Sequence, residues 1–214
     1  MANQRVYSRC VSRRRDFAVT ATTSAAQIPA LDLDDHRLSW RDKRRLNRQL
    51  RLRDEISARL AELDRLADIL GKAADLIKDG WLQHSWFAYR GEEGRAKTVT
   101  AFNVADMTGR PVVAACLVGA VVQAGGGLSE VRSSEVQRAL DLTWHTLFSN
   151  PSEPIRWNPA PQIRMYHVQQ LTRWNDHPSR SGPQVEALLR HSVTTARSEA
   201  SRLRSVAEPA TLTA

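Results

Sequence analysis

The chain has almost no cysteine: two in 214 residues, Cys10 and Cys116, far apart and in different segments. They form neither a ligand-spaced pair nor a disulfide framework, which excludes a stapled secreted scaffold and suits a reducing interior. Long apolar runs are missing too. The longest, Val112 to Val122, stops after 11 residues at Gln123 and three glycines, too short for a bilayer and read as a buried helix. No membrane contact is expected, and no apolar stretch near the start forms a secretory signal. The six histidines (His36, His84, His145, His167, His177, His191) make no HExxH and no Cys/His pairing, so no metal site is expected. No glycine-rich loop opens a helix. Gly125–Gly127 close one, the reverse of what pyrophosphate binding requires, and no cofactor is expected. There is no internal repeat.

Acid is scarce in the first quarter. Residues 1–53 hold 13 Lys and Arg against five Asp, a balance of +8, while the other 161 residues hold 18 against 18. A basic arm is joined to a neutral body. Within residues 1–30, Arg5, Arg9, Arg13, Arg14 and Arg15 stand with Ser, Thr and Ala and only Asp16 as acid. That composition fits a transit peptide or a disordered basic tail, and we read the second.

The expected architecture is mainly α: a compact helical domain preceded by a long basic helix and a disordered N-terminal tail. The divisions are 1–38 tail, 39–70 basic and coiled-coil-like helical extension, 71–205 helical domain, and 206–214 tail. Ser39, with Asp42 in capping-box position, opens a helix that Gly80 stops, and Gly71 is a point of bending or breakage. Ile56, Leu60, Leu63, Ala67, Leu70, Ala74 and Ile77 alternate spacings of four and three. Such a seam needs a partner surface, the body or another copy. Trp81, Trp86, Phe87 and Tyr89 are core anchors, and a strand or hairpin is expected around Lys97–Val104. Helices follow over Val112–Ala124, from Ser134 with Val136, Leu140, Trp144 and Leu147 on one face, through Ile163, Tyr166, Leu171 and Trp174, and from Ser181 with Val185, Leu188, Leu189, Ala196 and Leu203 inward. Pro151, Pro154, Pro159 and Pro161 stiffen the loop between the second and third of these.

Few residues carry chemistry. Cys116, near the start of an apolar helix, has the position of a low-pKa thiol but neighbours of Val, Ala and Leu, and reads as a buried inert thiol. Gly119 and Ala120 read as helix-packing contacts. Trp174-Asn175-Asp176-His177-Pro178 reads as a corner between helices, with Asp176 accepting backbone N–H bonds. The stronger signal is cationic. At 100° per residue, Arg41, Arg44, Arg45, Arg48 and Arg51 fall within about a 120° arc, able to neutralise a line of phosphates without reading bases.

The order Ala-Asp-Leu-Ile-Lys-Asp-Gly-Trp ending at Trp81, Cys116-x-x-Gly119-Ala120, a helix with Ala139 and Leu140, and Trp174-Asn175-Asp176 before a final helix resembles a small domain family of unknown function from high-GC Gram-positive bacteria and their phages. The likeness covers about residues 66–195, with Leu117 in place of the usual Ala, and implies no activity.

The leading functional expectation is a non-enzymatic cytoplasmic adaptor. Residues 1–53 contact nucleic acid or a nucleoprotein without sequence readout, and Ile56–Ile77 serve a second copy or a helical protein partner. The alternative is a small enzyme with its site between the Cys116 helix and the Trp174-Asn175-Asp176 corner.

Overall fold

The computed structural model describes residues 39–91, 93–100, 110–150, 153–155, 157 and 159–207. The expected tails over 1–38 and 208–214, and residues 101–104 of the expected hairpin, lie outside the described residues. What is described is mainly α, five helices with a three-stranded sheet.

The first helix, α1 (Trp40–Asp79), is a single element of 40 residues. The Ser39 hydroxyl accepts the Asp42 N–H and donates to its carboxylate, and the Gly80 N–H closes the last turn on Leu76. Gly71 does not interrupt it. Leu63, Leu66, Ala67, Ile69, Leu70, Ala73, Ala74 and Ile77 are buried, an arc of about 160° at 100° per residue. That is wider than the two-position seam of a coiled coil. The width is filled from within the chain, by three later helices. Ile56 and Leu60, at the seam's start, are half-buried.

The Val112–Ala124 helix expected from the sequence is corrected. Val112–Ala115 form a strand, β3, and the helix α2 covers only Leu117–Ala124. A continuous apolar run has no period to separate a buried strand from a buried helix. Here the donors decide it: the Ala115 N–H goes to the Gly80 carbonyl and the Cys116 N–H to the Trp86 carbonyl, so neither starts a helical turn. The strand β1 (Phe87–Arg90) lies between β2 (Ala96–Val99) and β3, antiparallel to both, with Phe87 opposite Val99 on one side and Ala115 on the other. A Cβ on Gly119 would stand 2.2 Å from the Trp86 carbonyl oxygen. Its close contact is therefore with the backbone leading into β1 rather than with a helix.

The helix α3 (Ser134–Phe148) is capped by Ser133, whose hydroxyl accepts the Val136 N–H. In α4 (Pro161–Asn175) Pro161 opens the helix. Its buried face is His167, Leu171 and Asn175, while Ile163 and Tyr166, which share its helical spacing, are exposed. The last helix, α5 (Gly182–Ala207), starts beside Trp81 and pairs Arg190 with Asp75 at 2.6 Å, so it runs antiparallel to α1. At that register the end of α5 lies opposite about residue 58, so roughly 27 Å of α1, including Arg41 to Arg51, extends past it.

Candidate functional site

Segments far apart in sequence meet at Asn175, the last residue of α4. Its side chain is buried, and all four hydrogen-bonding positions of the amide are used. Oδ1 accepts from Trp81 Nε1 (2.9 Å) and from the Leu117 N–H (3.1 Å). Nδ2 donates to the Leu82 carbonyl (3.2 Å) and to Asp176 Oδ1 (2.8 Å). The Leu117 N–H is one of the first-turn donors that α2 cannot satisfy itself. The next such donor bonded here, Gly119 N–H, goes to Cys116 Sγ at 3.3 Å. Asp176 Oδ1 also accepts the His84 N–H (2.9 Å), and Gln83 Nε2 donates to the carbonyls of Asn175 and His177. The loop from Trp81 to Trp86 is thereby stitched onto the corner after α4.

Burial pushes the Cys116 thiol up to about 11, with the Asp176 charge adding to the rise and the Gly119 N–H opposing it. Such a thiol is protonated at neutral pH and offers no thiolate. His84 sits at φ 61°, left-handed backbone that non-glycine residues seldom adopt, held there by the bond to Asp176. Its exposed ring stands 3.7 Å from Asp176 Oδ2, beyond hydrogen-bond reach. Trp174 lies beside the junction under the Arg180 guanidinium, 3.9 Å from its ring centre, and Ala120 is fully buried in α2.

Residues 61–194 match the family of unknown function DUF6197, a span that contains the whole junction. The chain belongs to DUF6197. No curated protein and no solved structure matches it. Among the described residues no three His, Cys, Asp or Glu are grouped to hold a metal ion, and no helix is long and apolar enough to cross a membrane.

A second polar cluster inside the DUF6197 span escaped the sequence reading. Asp141, buried in α3, takes two bonds from Arg164 of α4, Nη2 to Oδ2 at 2.6 Å and Nε to Oδ1 at 3.2 Å. Beside them His167 stacks on Trp144 with ring centres 3.6 Å apart, its buried Nδ1 without a partner among the described residues. The only signal was an acid flanked by Leu140 and Leu142 on a helix of apolar positions; nothing marked Arg164 as its partner.

Burial lowers the pKa of both His167 and His145, against smaller opposing effects of nearby carboxylates. Each stays neutral in the folded chain where the unfolded chain binds a proton. The stability this contributes is complete above about pH 6.5 and is lost as pH falls through that value toward the lower folded pKa values. Thermal midpoints measured between about pH 7.5 and 5.5 should therefore drop with acid. His167→Gln should flatten that drop, whereas an unchanged slope would show that His167 does not contribute to it.

Arg41, Arg44, Arg45, Arg48 and Arg51 precede the DUF6197 span. All five are exposed on the part of α1 that extends past α5. They also lie within the same angular arc that buries Leu63 to Ile77 further along the helix, a coincidence of faces that only the burial pattern reveals. Leu46 and Leu50 fall outside it. Arg59 is on this arc as well, but the body has reached it: it bonds Glu62 at 2.7 Å and stacks on Trp157 at 4.0 Å. Among the described residues none of the five earlier arginines meets a carboxylate, and only Arg44 has a ring contact, with Trp40 at 5.3 Å.

Proposed function

We propose that the chain is a non-enzymatic adaptor that holds nucleic acid, free or in a nucleoprotein, by its phosphate backbone through Arg41, Arg44, Arg45, Arg48 and Arg51. One observation carries this reading: five exposed arginines on a single helical arc, with no carboxylate against any of them among the described residues. Arginine forks match phosphate oxygens and stay charged at any working pH. The stretch Trp40–Arg53 holds seven Lys and Arg against one Asp, so pairing with the same face of a second copy would be repulsive and a polyanion is the better complement. The junction at Asn175 has a different job, fixing the body, since its amide has no valence left for a ligand. A cytoplasmic location goes with this reading, as does the free buried thiol of Cys116.

Binding to duplex DNA should weaken steeply with salt. If all five arginines touch phosphates, the log–log slope approaches −0.9 per contact, or about −4.5. Arg44→Gln with Arg48→Gln, both exposed and outside the folded body, should lower the slope by about two and weaken all sequences alike. Titration of the intact protein and the double variant across several salt concentrations measures this. No binding to DNA or RNA in low salt would remove the proposal.

A further inference from the structure

Five of the six tryptophans, Trp81, Trp86, Trp144, Trp157 and Trp174, pack against the hydrophobic core. Trp40 does not. It opens the length of α1 that extends past α5 and is 71% exposed, more than any other large apolar side chain among the described residues. Leaving an indole in water forgoes one of the largest burial gains a side chain offers, a gain that a ligand would recover.

The helix sets this ring among the arginines. At 100° per residue Trp40 lies about 20° from Arg51 and about 40° from Arg44, at the edge of the arginine arc, and about 80–120° from Leu50 and Leu46. It continues no apolar stripe of the kind that a lipid surface or a partner helix requires. The Arg44 guanidinium stands 5.3 Å from the ring centre, within cation–π range, and steadies one face of the indole. With 71% of the side chain in solvent, the opposite face is open among the described residues. From Trp40 to Arg51 the helix runs about 17 Å, the span of about five stacked nucleotides.

The arm of residues 1–53 keeps its balance of +8 whatever pairs form within it, so it attracts a polyanion. Phosphates account for the arginines and leave the indole without a role, because the bases of a duplex are already stacked on one another. An unpaired base has a free π-face that an exposed indole can take up.

We infer that Trp40 makes the arm selective for single-stranded nucleic acid over duplex. One unpaired base stacks on the indole face opposite Arg44, while the arginines that follow hold phosphates of the same strand. This selectivity rests on the phosphate-binding reading above and adds to it the class of nucleic acid.

The test uses the full chain and three labelled probes, with affinity read by fluorescence anisotropy at several salt concentrations. They are an oligothymidylate of about 12 nucleotides, within common site sizes, a strand of equal length that is abasic throughout, and a duplex closed at both ends by non-nucleotide linkers. Oligothymidylate should bind about tenfold tighter than the abasic strand, as one stacked base allows, and tighter than the duplex. Trp40→Ala, exposed and outside the folded body, should bring oligothymidylate down to the level of the abasic strand. The salt slope should stay unchanged, since no phosphate contact is lost. Trp40→Phe, which keeps a ring, should retain part of the preference. Equal binding of all three probes, or a preference that survives Trp40→Ala, would overturn this inference and leave phosphate binding standing. No binding of any probe in low salt would remove both. Trp40-dependent binding to anionic phospholipid vesicles in preference to oligothymidylate would also overturn it.

Discussion

Asn175→Ala should lower stability by about 3–5 kcal/mol, because it removes four hydrogen bonds and leaves buried partners with nothing in their place. The Leu117 N–H and the Leu82 carbonyl cannot turn to water without opening the junction, and the Trp81 indole loses its acceptor. For a domain of this size the thermal midpoint should fall by about 10–15 °C. Asn175→Asp separates the hydrogen-bond pattern from simple loss of bulk. It keeps the acceptor for Trp81 and Leu117 but turns an oxygen toward the Leu82 carbonyl and the Asp176 carboxylate, where donors are needed. It should be at least as damaging as Ala. Thermal unfolding followed by near-ultraviolet circular dichroism measures both, and a loss under about 1 kcal/mol in either variant would contradict the role assigned to the amide.

Gly119→Ala should be the other severe change, although it adds a single methyl group. The new Cβ would sit 2.2 Å from the Trp86 carbonyl oxygen and 3.1 Å from the Phe87 ring. The first neighbour is backbone, and that backbone is held on both sides, by the Cys116 N–H on the Trp86 carbonyl and the Trp86 N–H on Val99. Relief therefore requires α2 to move off the sheet and release its N-terminus from Asn175. The cost should exceed the common range of about 1–3 kcal/mol for overpacking. Gly71→Ala is the internal contrast: nothing lies within 4 Å of its Cβ position, and it should stabilise α1 by about 0.5–1 kcal/mol. Equal melting temperatures for Gly119→Ala and the unaltered chain would show that the two backbones are not locked together.

Much of the helical frame was readable because its signals are local. Ser39 and Asp42 mark the start of α1, Gly80 its end, and the apolar spacing of Leu63 to Ile77 its inner face. Val185, Leu188, Leu189 and Ala196 did the same for α5. What was hidden depended on neighbours. Val112–Ala115 became a strand only because Gly80 and Trp86 offered carbonyls to its end. Ile163 and Tyr166 carry helical periodicity, but the face they occupy is decided by Arg164 reaching Asp141. At the candidate sites the arginine arc could be read from spacing alone, whereas the pairing of Asp141 with Arg164 became visible only once α3 and α4 packed together.

The distances along the chain between Asn175 and its partners have a consequence for the order of folding. Those partners are 58, 93 and 94 residues away. The loop-closure entropy of such contacts is large, and they form only after local helices and the β1–β2 hairpin have brought their ends together. The junction should then be absent from the folding transition state and present only in the finished molecule. Damage to it would leave the folding rate nearly unchanged and shorten the lifetime of the folded state instead, so the amide of Asn175 serves as a late latch on an already assembled body.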